Sequence, residues 1–457
     1  MRVFLKLRLN SRVIALAAIA VCCAAYAAAQ DPQPPQAPAP ASGAQVRPRM
    51  APAPGETMPT LTRDQSARPS VAAGQARTLR SGRQSRELQG SMPVRDGQRL
   101  RVVTDTGNVL VRTDASDQVI YHVRLETDTP GKAGARLLEE YTLHESQVPG
   151  GVFLKGTAPR RALPGRLWLT YEIRVPRNFN IDVNTDAGSI QVGDTAGRVN
   201  LETDGGNIAV GRVGGGVRQP GVLAARLITK GGHITVRDVT GDLRAETAGG
   251  HITAGNIAGD AVLITGGGHI HAGNILGVAT LDTGGGNISV ERAGSRVTAS
   301  SAGGQINFGE AAGAIRAHTE GGGIRVLRVA GPMQLESNGG SIFLTHVENE
   351  VRASTDAGTI TAWLSPLHKL MGASQLESGH GDIVVYVPRD MPVTIEATID
   401  AGNDHRIVAD PSLPLKINYI TTESGRQMHG QCEINGGGEV LRLRTVSGNI
   451  QLRYADM

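Results

Sequence analysis

The chain has 457 residues, 60 of them glycine and only 3% aromatic, with a formal charge of +4 at pH 7. So small a charge gives no argument for a nucleic-acid partner, and so few aromatics suit a thin, regular core of Val, Ile, Leu and Ala better than a bulky globular one. Length alone suggests two or three domains, but the glycine-rich composition points to a single repetitive architecture.

Residues 1–29 read as an export signal. Arg2, Lys6, Arg8 and Arg12 form a basic start, a short apolar stretch follows, and Ala27-Ala28-Ala29 offers a small-residue cleavage site before Gln30. The apolar run is short for a full membrane span. Val21 before Cys22 is a poor match to an acylation site. Once Cys22 and Cys23 leave with the signal, only Cys432 remains, so no internal disulfide is available. Residues 30–92 read as a disordered linker, rich first in Pro and Ala and then in Arg, with too few large apolar residues for a core.

Residues 93–182 read as a strand-rich N-terminal cap. Leu100 to Val103 and Val109 to Val111 flank a turn at Thr106-Gly107-Asn108, and Val119 to Leu125 alternates. Residues 132–140 predict a short helix, and Tyr171 to Val175 a strand ended by Pro176.

From about 183 to 363 the chain repeats. A Gly-rich turn precedes Ile190, Ile208, Ile234, Ile252, Ile270, Ile288, Ile306, Ile324, Ile342 and Ile360, and eight of the nine intervals are 18 residues. The interval from Ile208 to Ile234 is 26, an insertion of eight. A fixed short period means one supersecondary unit stacked on its own copies. Two-residue alternation inside each unit predicts two short strands per 18-residue coil. The fold class is therefore all-β, a single parallel β-solenoid capped at both ends.

Three columns stand out. Gly lies two residues before every anchor, and Gly, Asn349 or Ser295 lies seven after the first nine anchors, which suggests corners of positive φ there. Thr185, Thr203, Thr229, Thr247, Thr265, Thr283, Ser301, Thr319, Ser337 and Thr355 share one inward phase, where each hydroxyl can bond backbone groups or its neighbour in the next coil. Residues 364–457 keep strands without the strict period and read as a C-terminal cap, and Ser447-Gly448-Asn449-Ile450 resumes the repeat grammar. Caps protect the unpaired strand edges of an open solenoid.

Taken together, Thr106-Gly107-Asn108-Val109, Val175-Pro176, the Gly-Gly-x-Ile coils and the closing Arg444 to Ile450 segment resemble the bacterial putative-adhesin family of exported β-strand-repeat domains. The resemblance covers roughly residues 95–453. Its motifs are structural, so it implies fold and assigns no chemistry.

The leading candidate site is a histidine ladder. His233, His251 and His269 precede three successive anchors, with His271 two residues on. Imidazoles on one face at strand spacing could share zinc, copper or nickel. The same column also holds Asn207, Asn287, Ser189, Gln305 and Ser341, and no carboxylate or thiol accompanies the histidines. That composition favours an outward polar ladder and no metal or other cofactor. The insertion carries Arg218, Gln219 and Pro220, and loops on a rigid scaffold often bind. Glu202, Glu246, Asp282 and Glu336 share a column, with Arg226, Arg244, Arg316 and Arg352 two residues before that phase, a pattern of weak ion pairs on a solvated face. No phosphate loop or calcium nonapeptide is present in the sequence.

The sequence therefore predicts a non-catalytic exported protein of the periplasm, outer membrane or cell surface. It would act as a scaffold or adhesin-like module for cell-wall polymer, glycan or an envelope protein, and meet membrane only through export or tethering. A self-assembling envelope protein and a polysaccharide-acting β-helix enzyme are the alternatives. Oligomeric state cannot be read from these residues.

Overall fold

Within the stack every coil is made of two strands, because inward and outward residues alternate along each. Ala261–Thr265 and Ile270–Ile275 form one such coil, with Ala261, Leu263, Thr265, Ile270, Ala272 and Ile275 all buried. The structure is a computed structural model that describes residues 83–159, 167–215, 221–365, 370–401, 404–422 and 425–455. All of these fall in the unit Thr78–Met457. The expected export signal, the linker up to residue 82, and Arg218, Gln219 and Pro220 lie outside the described residues.

Coils stack by parallel pairing at the sequence period. Ile270 pairs with Ile252 on one side and Ile288 on the other, and Leu263 pairs with Ala245 and Leu281. The anchor isoleucines thus run down one sheet of 17 strands. The strands ending in the Thr/Ser column run down a second sheet facing it. A third inward row, Thr195, Val213, Val239, Ile257 and Ile275, is bridged in parallel at the corner. The core stays thin because facing columns compensate in size. Along the chain, Ala254 and Ala272 of the anchor strands are followed in the next strand by Leu263 and Leu281, whereas Phe308 and Leu344 are followed by Ala317 and Ala353, and all are buried.

At the corner between the sheets, each Thr or Ser hydroxyl of the column from Thr203 to Thr355 joins two coils, whereas Thr185 bonds the Ala187 carbonyl of its own turn. Thr265 Oγ1 donates to the Gly250 carbonyl of the preceding coil at 2.7 Å and accepts the Gly268 N–H of its own turn at 3.1 Å. The donated bond recurs from Thr203 to Thr355 at 2.7 to 2.9 Å. Such closeness leaves no room for a Cβ. One added to Gly268 would overlap the Gly250 carbonyl, and one on Gly286 the Gly268 carbonyl.

The corner seven residues after each anchor differs from expectation. None of Gly197, Gly215, Gly241, Gly259, Gly277, Gly313 and Gly331 has positive φ, nor do Ser295, Gly294 or Asn349. Glycine is required at most of these positions by close approach instead: a Cβ on Gly277 or Gly331 would overlap the backbone one coil earlier. In the coil of Asn349 the left-handed residue is His346, at φ 52°.

The stack also passes the expected cap boundaries. At the front, Arg99–Thr104 and Asn108–Asp114 form a coil that lies between Asn180–Thr185/Ile190–Val192 and Gly151–Thr157/Leu167–Pro176. At the back, Val440–Ser447 and Ile450–Tyr454 slip between Ser374–His380/Ile383–Val387 and Val393–Ile399/Ile407–Ala409. Ser378 and Thr445 keep the corner bond, to the carbonyls of Gly358 and Gly381. Coils laid down out of chain order cannot show a sequence period.

The expected linker is corrected at its end. Gln84–Pro93 is a strand, antiparallel to Gln118–Thr127, and its Leu88 and Met92 pack against the core. The predicted helix is found at Gly131–Glu140, with Leu138 buried; Arg86 Nη1 donates to the Leu138 carbonyl at 2.8 Å.

Replacing Thr265 with Val keeps its shape and removes the bridge, leaving the Gly250 carbonyl and Gly268 N–H without their partner. The expected loss is about 1–3 kcal/mol of unfolding free energy, read from a urea midpoint at constant slope. Thr265→Ser should restore most of it, and Gly268→Ala should cost more than Thr265→Val.

Candidate binding ladder

The column just before the anchors faces solvent, and the structure gives it a second use. Seven of its polar side chains, Ser189, Asn207, His233, His251, His269, Asn287 and Ser341, accept the backbone N–H of the next coil. Asn207 Oδ1 takes the His233 N–H at 2.8 Å, His233 Nδ1 the His251 N–H at 2.9 Å, and His251 Nδ1 the His269 N–H at 2.8 Å. His269 Nδ1 then takes the Asn287 N–H at 2.8 Å, and Asn287 Oδ1 the Gln305 N–H at 2.9 Å. Ser189 Oγ does the same for Asn207, at 3.2 Å. The column thus tolerates any short side chain that carries an acceptor.

An imidazole whose Nδ1 accepts must be neutral, with its proton on Nε2. The three rings stack face to face, with centroids 4.9 Å apart at 13° and 4.8 Å apart at 2°. What they offer solvent is therefore a row of Nε2–H donors one coil apart, continued by the amides of Asn207 and Asn287. Desolvation, and then the neighbouring His269 and His233, hold the His251 imidazole below its ordinary value.

Stacked in this way, neighbouring rings do not aim equivalent nitrogens at one ion. Zinc–nitrogen bonds of about 2.0–2.1 Å cannot bring two nitrogens of one ion more than about 4.2 Å apart. Parallel rings 4.8–4.9 Å apart keep equivalent nitrogens beyond that. Among the described residues no group of three or more His, Cys, Asp or Glu is arranged to hold a metal ion. His271 stands in the next outward column, paired between Thr253 and Ser289, with Nε2 4.0 Å from Glu291 Oε1.

Two acids of the outward column are matched by arginines, and Glu336 lies 3.7 Å from His318. Arg226 lies 3.8 Å from Glu202, and Arg244 pairs with Glu246. Elsewhere Arg212 holds Asp194 at 2.9 Å, and its backbone and side-chain bonds pull that carboxyl below the usual range. Beside the insertion an open groove is lined by Asn180, Arg198, Asn200, Leu223 and Arg226.

One surface feature escapes sequence reasoning. Phe343, Trp363 and Tyr386 stack on the outer face, with centroids 4.9 and 4.3 Å apart, and Arg325 lies 4.6 Å over Phe343. With aromatics at 3%, three close together was an available signal. The register was hidden because Ile360 and Ile383 pair across an interval longer than the repeat. Trp363 and Tyr386 turn their faces to each other, while Phe343 is tilted 54° to Trp363 and lies under Arg325, so the rings brace neighbouring coils rather than offer a flat platform.

No protein-family model matches the chain, and comparison with curated proteins finds no match either. Solved structures that are similar include two proteins named for adhesion. One is a putative cell adhesion protein from Clostridium sporogenes ATCC 15579, at 7% identity and a TM-score of 0.16, over 81% of this chain and 100% of that one. The other is a putative adhesin from Bacteroides fragilis NCTC 9343, at 14% identity and a TM-score of 0.22, over 61% of this chain and 97% of that one. Both names agree with the family resemblance in the sequence. At these scores the superpositions carry no argument, and the fold rests on the strand register. Among the described residues no helix is long and apolar enough to cross a membrane.

Protonating a ladder histidine turns its Nδ1 from acceptor to donor, so acid opposes the stack. The folded His251 titrates below its unfolded value of 6.5. Its contribution is thus complete above that pH and is lost as pH falls through the lower folded value. Melting temperature should therefore fall on acidification below about 6.5. His251→Asn, which keeps an acceptor, should flatten this acid limb in a thermal melt series.

Proposed function

We propose that this chain is a non-catalytic exported protein of the cell envelope or surface, a scaffold or adhesin-like module that binds an extended polymer along its outer ladder. The observation that carries the reading is the row of outward donors from Asn207 to Asn287, repeated once per coil. Each ladder residue spends one polar atom on the next coil and keeps another for solvent. A rigid row of this kind suits a ligand that repeats on a similar scale, such as a cell-wall glycan in extended form. An envelope protein presenting a strand of carbonyls is the other ligand of suitable chemistry.

Two observations favour binding over catalysis. Glu202 and Glu246 of the outward column are occupied in ion pairs with Arg226 and Arg244. The acids are also interrupted by Ile228 and Ile264, which pair between Glu202, Glu246 and Asp282, so acids do not meet on adjacent coils. The insertion with Arg218, Gln219 and Pro220 is a second candidate contact.

A triple variant tests the ladder. Replacing His233, His251 and His269 with Ser keeps an acceptor for the next coil, as Ser189 does, and removes the outward donors. Pull-down on insoluble cell-wall polymer and on immobilised glycans should show retention of the mature chain and at least about tenfold weaker binding by the variant, at unchanged circular dichroism. Equal binding by the two proteins would move the site off the ladder. If no polymer, glycan or envelope protein retains the parent chain, the binding-module reading fails.

A further inference from the structure

The two ends of the stack are finished differently. At the front, the Gly131–Glu140 helix packs on the outermost strands of the first sheet, Gln84–Pro93 and Gln118–Thr127. The front edge strand of the second sheet, Thr142–Val148, carries His144 and Glu145, and Gln84–Pro93 carries Arg86, Glu87 and Pro93. Charges and proline on edge strands discourage further pairing.

At the back, the first sheet ends in the three-residue strand Ile407–Ala409. The second sheet continues beyond that level by two more strands, Gly425–Ile434 and then Lys416–Thr422. Among the described residues, Lys416–Thr422 pairs only with Gly425–Ile434, so its other edge presents a row of backbone donors and acceptors. Its sequence, Lys-Ile-Asn-Tyr-Ile-Thr-Thr, has high strand propensity, a single charge and no proline. Ile417 is 38% exposed, Tyr419 52% and Ile420 50%. Ile417 and Tyr419 share the face of Met428 and Gly430, and that face looks onto Ile407 and Leu415. They are core-side residues that overhang the end of the opposing sheet.

We propose that Lys416–Thr422 is a docking edge for a second copy of this chain, paired antiparallel about a two-fold axis near Tyr419. In that register Tyr419 faces its own copy, Ile417 faces Thr421, Asn418 faces Ile420, and Lys416 faces Thr422. Like charges are kept at opposite ends of the pair. Residues facing one another across an antiparallel pair point to the same side, so the two overhanging apolar faces become neighbours and lengthen the core. A two-fold contact uses the same patch twice and closes on itself, giving a dimer and not a filament. The N-terminal arm of this chain is a poorer occupant, because its prolines and arginines suit neither a strand ladder nor an apolar face. This surface lies apart from the histidine ladder, so its failure would leave the binding-module reading untouched.

Sedimentation velocity on the full chain, up to about 100 μM, tests the proposal. A monomer–dimer equilibrium is expected. Ile417→Lys with Ile420→Lys should weaken dimerisation at least about tenfold at an unchanged thermal melt. Val148→Lys, at the opposite end, should have no effect. Amide exchange should slow within 416–422, and not within 142–148, as concentration rises. A chain monomeric throughout, or a dimer indifferent to the double variant, overturns the proposal. So do open-ended polymers abolished by Val148→Lys, and protection of 416–422 that does not depend on concentration.

Discussion

Everything in this stack depends on how closely one turn can lie on the turn below it. At Thr265 and most of its equivalents the hydroxyl gives its hydrogen to a glycine carbonyl one coil earlier and takes an N–H from its own coil. Glycine is the only residue whose backbone can come that near, so the hydroxyl column and the glycine column are parts of a single interaction. Losing the side chain orphans two buried backbone groups, and adding a side chain to the glycine separates the coils. The isoleucine and leucine columns then fill a core whose width the corners have already set.

The outer ladder follows the same logic on the solvent side. Its residues satisfy the backbone of the next coil before they do anything else, which explains why Asn, His and Ser interchange there. Function has to use what is left over: Nε2–H groups on the histidines and amide groups on the asparagines, at a spacing imposed by strand pairing. That shared duty gives the histidine segment a pH dependence that an all-Asn ladder would lack. In the stacked arrangement the rings face one another and do not converge on one ion.

The ends supply the asymmetry that the repeat lacks. A helix and charged edge strands finish the front, whereas the back ends in an apolar strand whose inner face has outrun the opposing sheet. A regular stack makes its middle coils nearly equivalent, so distinctive contacts fall on the ladder segment with three histidines, on the insertion and on this terminal edge.

Much of this was legible in the residues. The 18-residue interval, the two-residue alternation and the inward Thr/Ser phase are local patterns, and together they specified parallel coils and the contents of the core. The position of the histidines in one outward column was equally plain, because register in a periodic stack is simple counting. Other features were not legible. The residues seven after each anchor looked like positive-φ corners, yet most are glycine because another coil's backbone lies against them. The coil ending at Tyr454 lies between two earlier ones, and Trp363 meets Tyr386 across a lengthened interval. The strand Gln84–Pro93 is held by a partner some thirty residues on and read as linker without it. Sequence by itself determined the period, the fold class and the column each side chain occupies, because these follow from spacing along one chain. Tertiary structure alone decided the order of the end coils, the tautomer and stacking of the histidines, and which edge is left unpaired, because each depends on what packs beside it from a distant part of the chain.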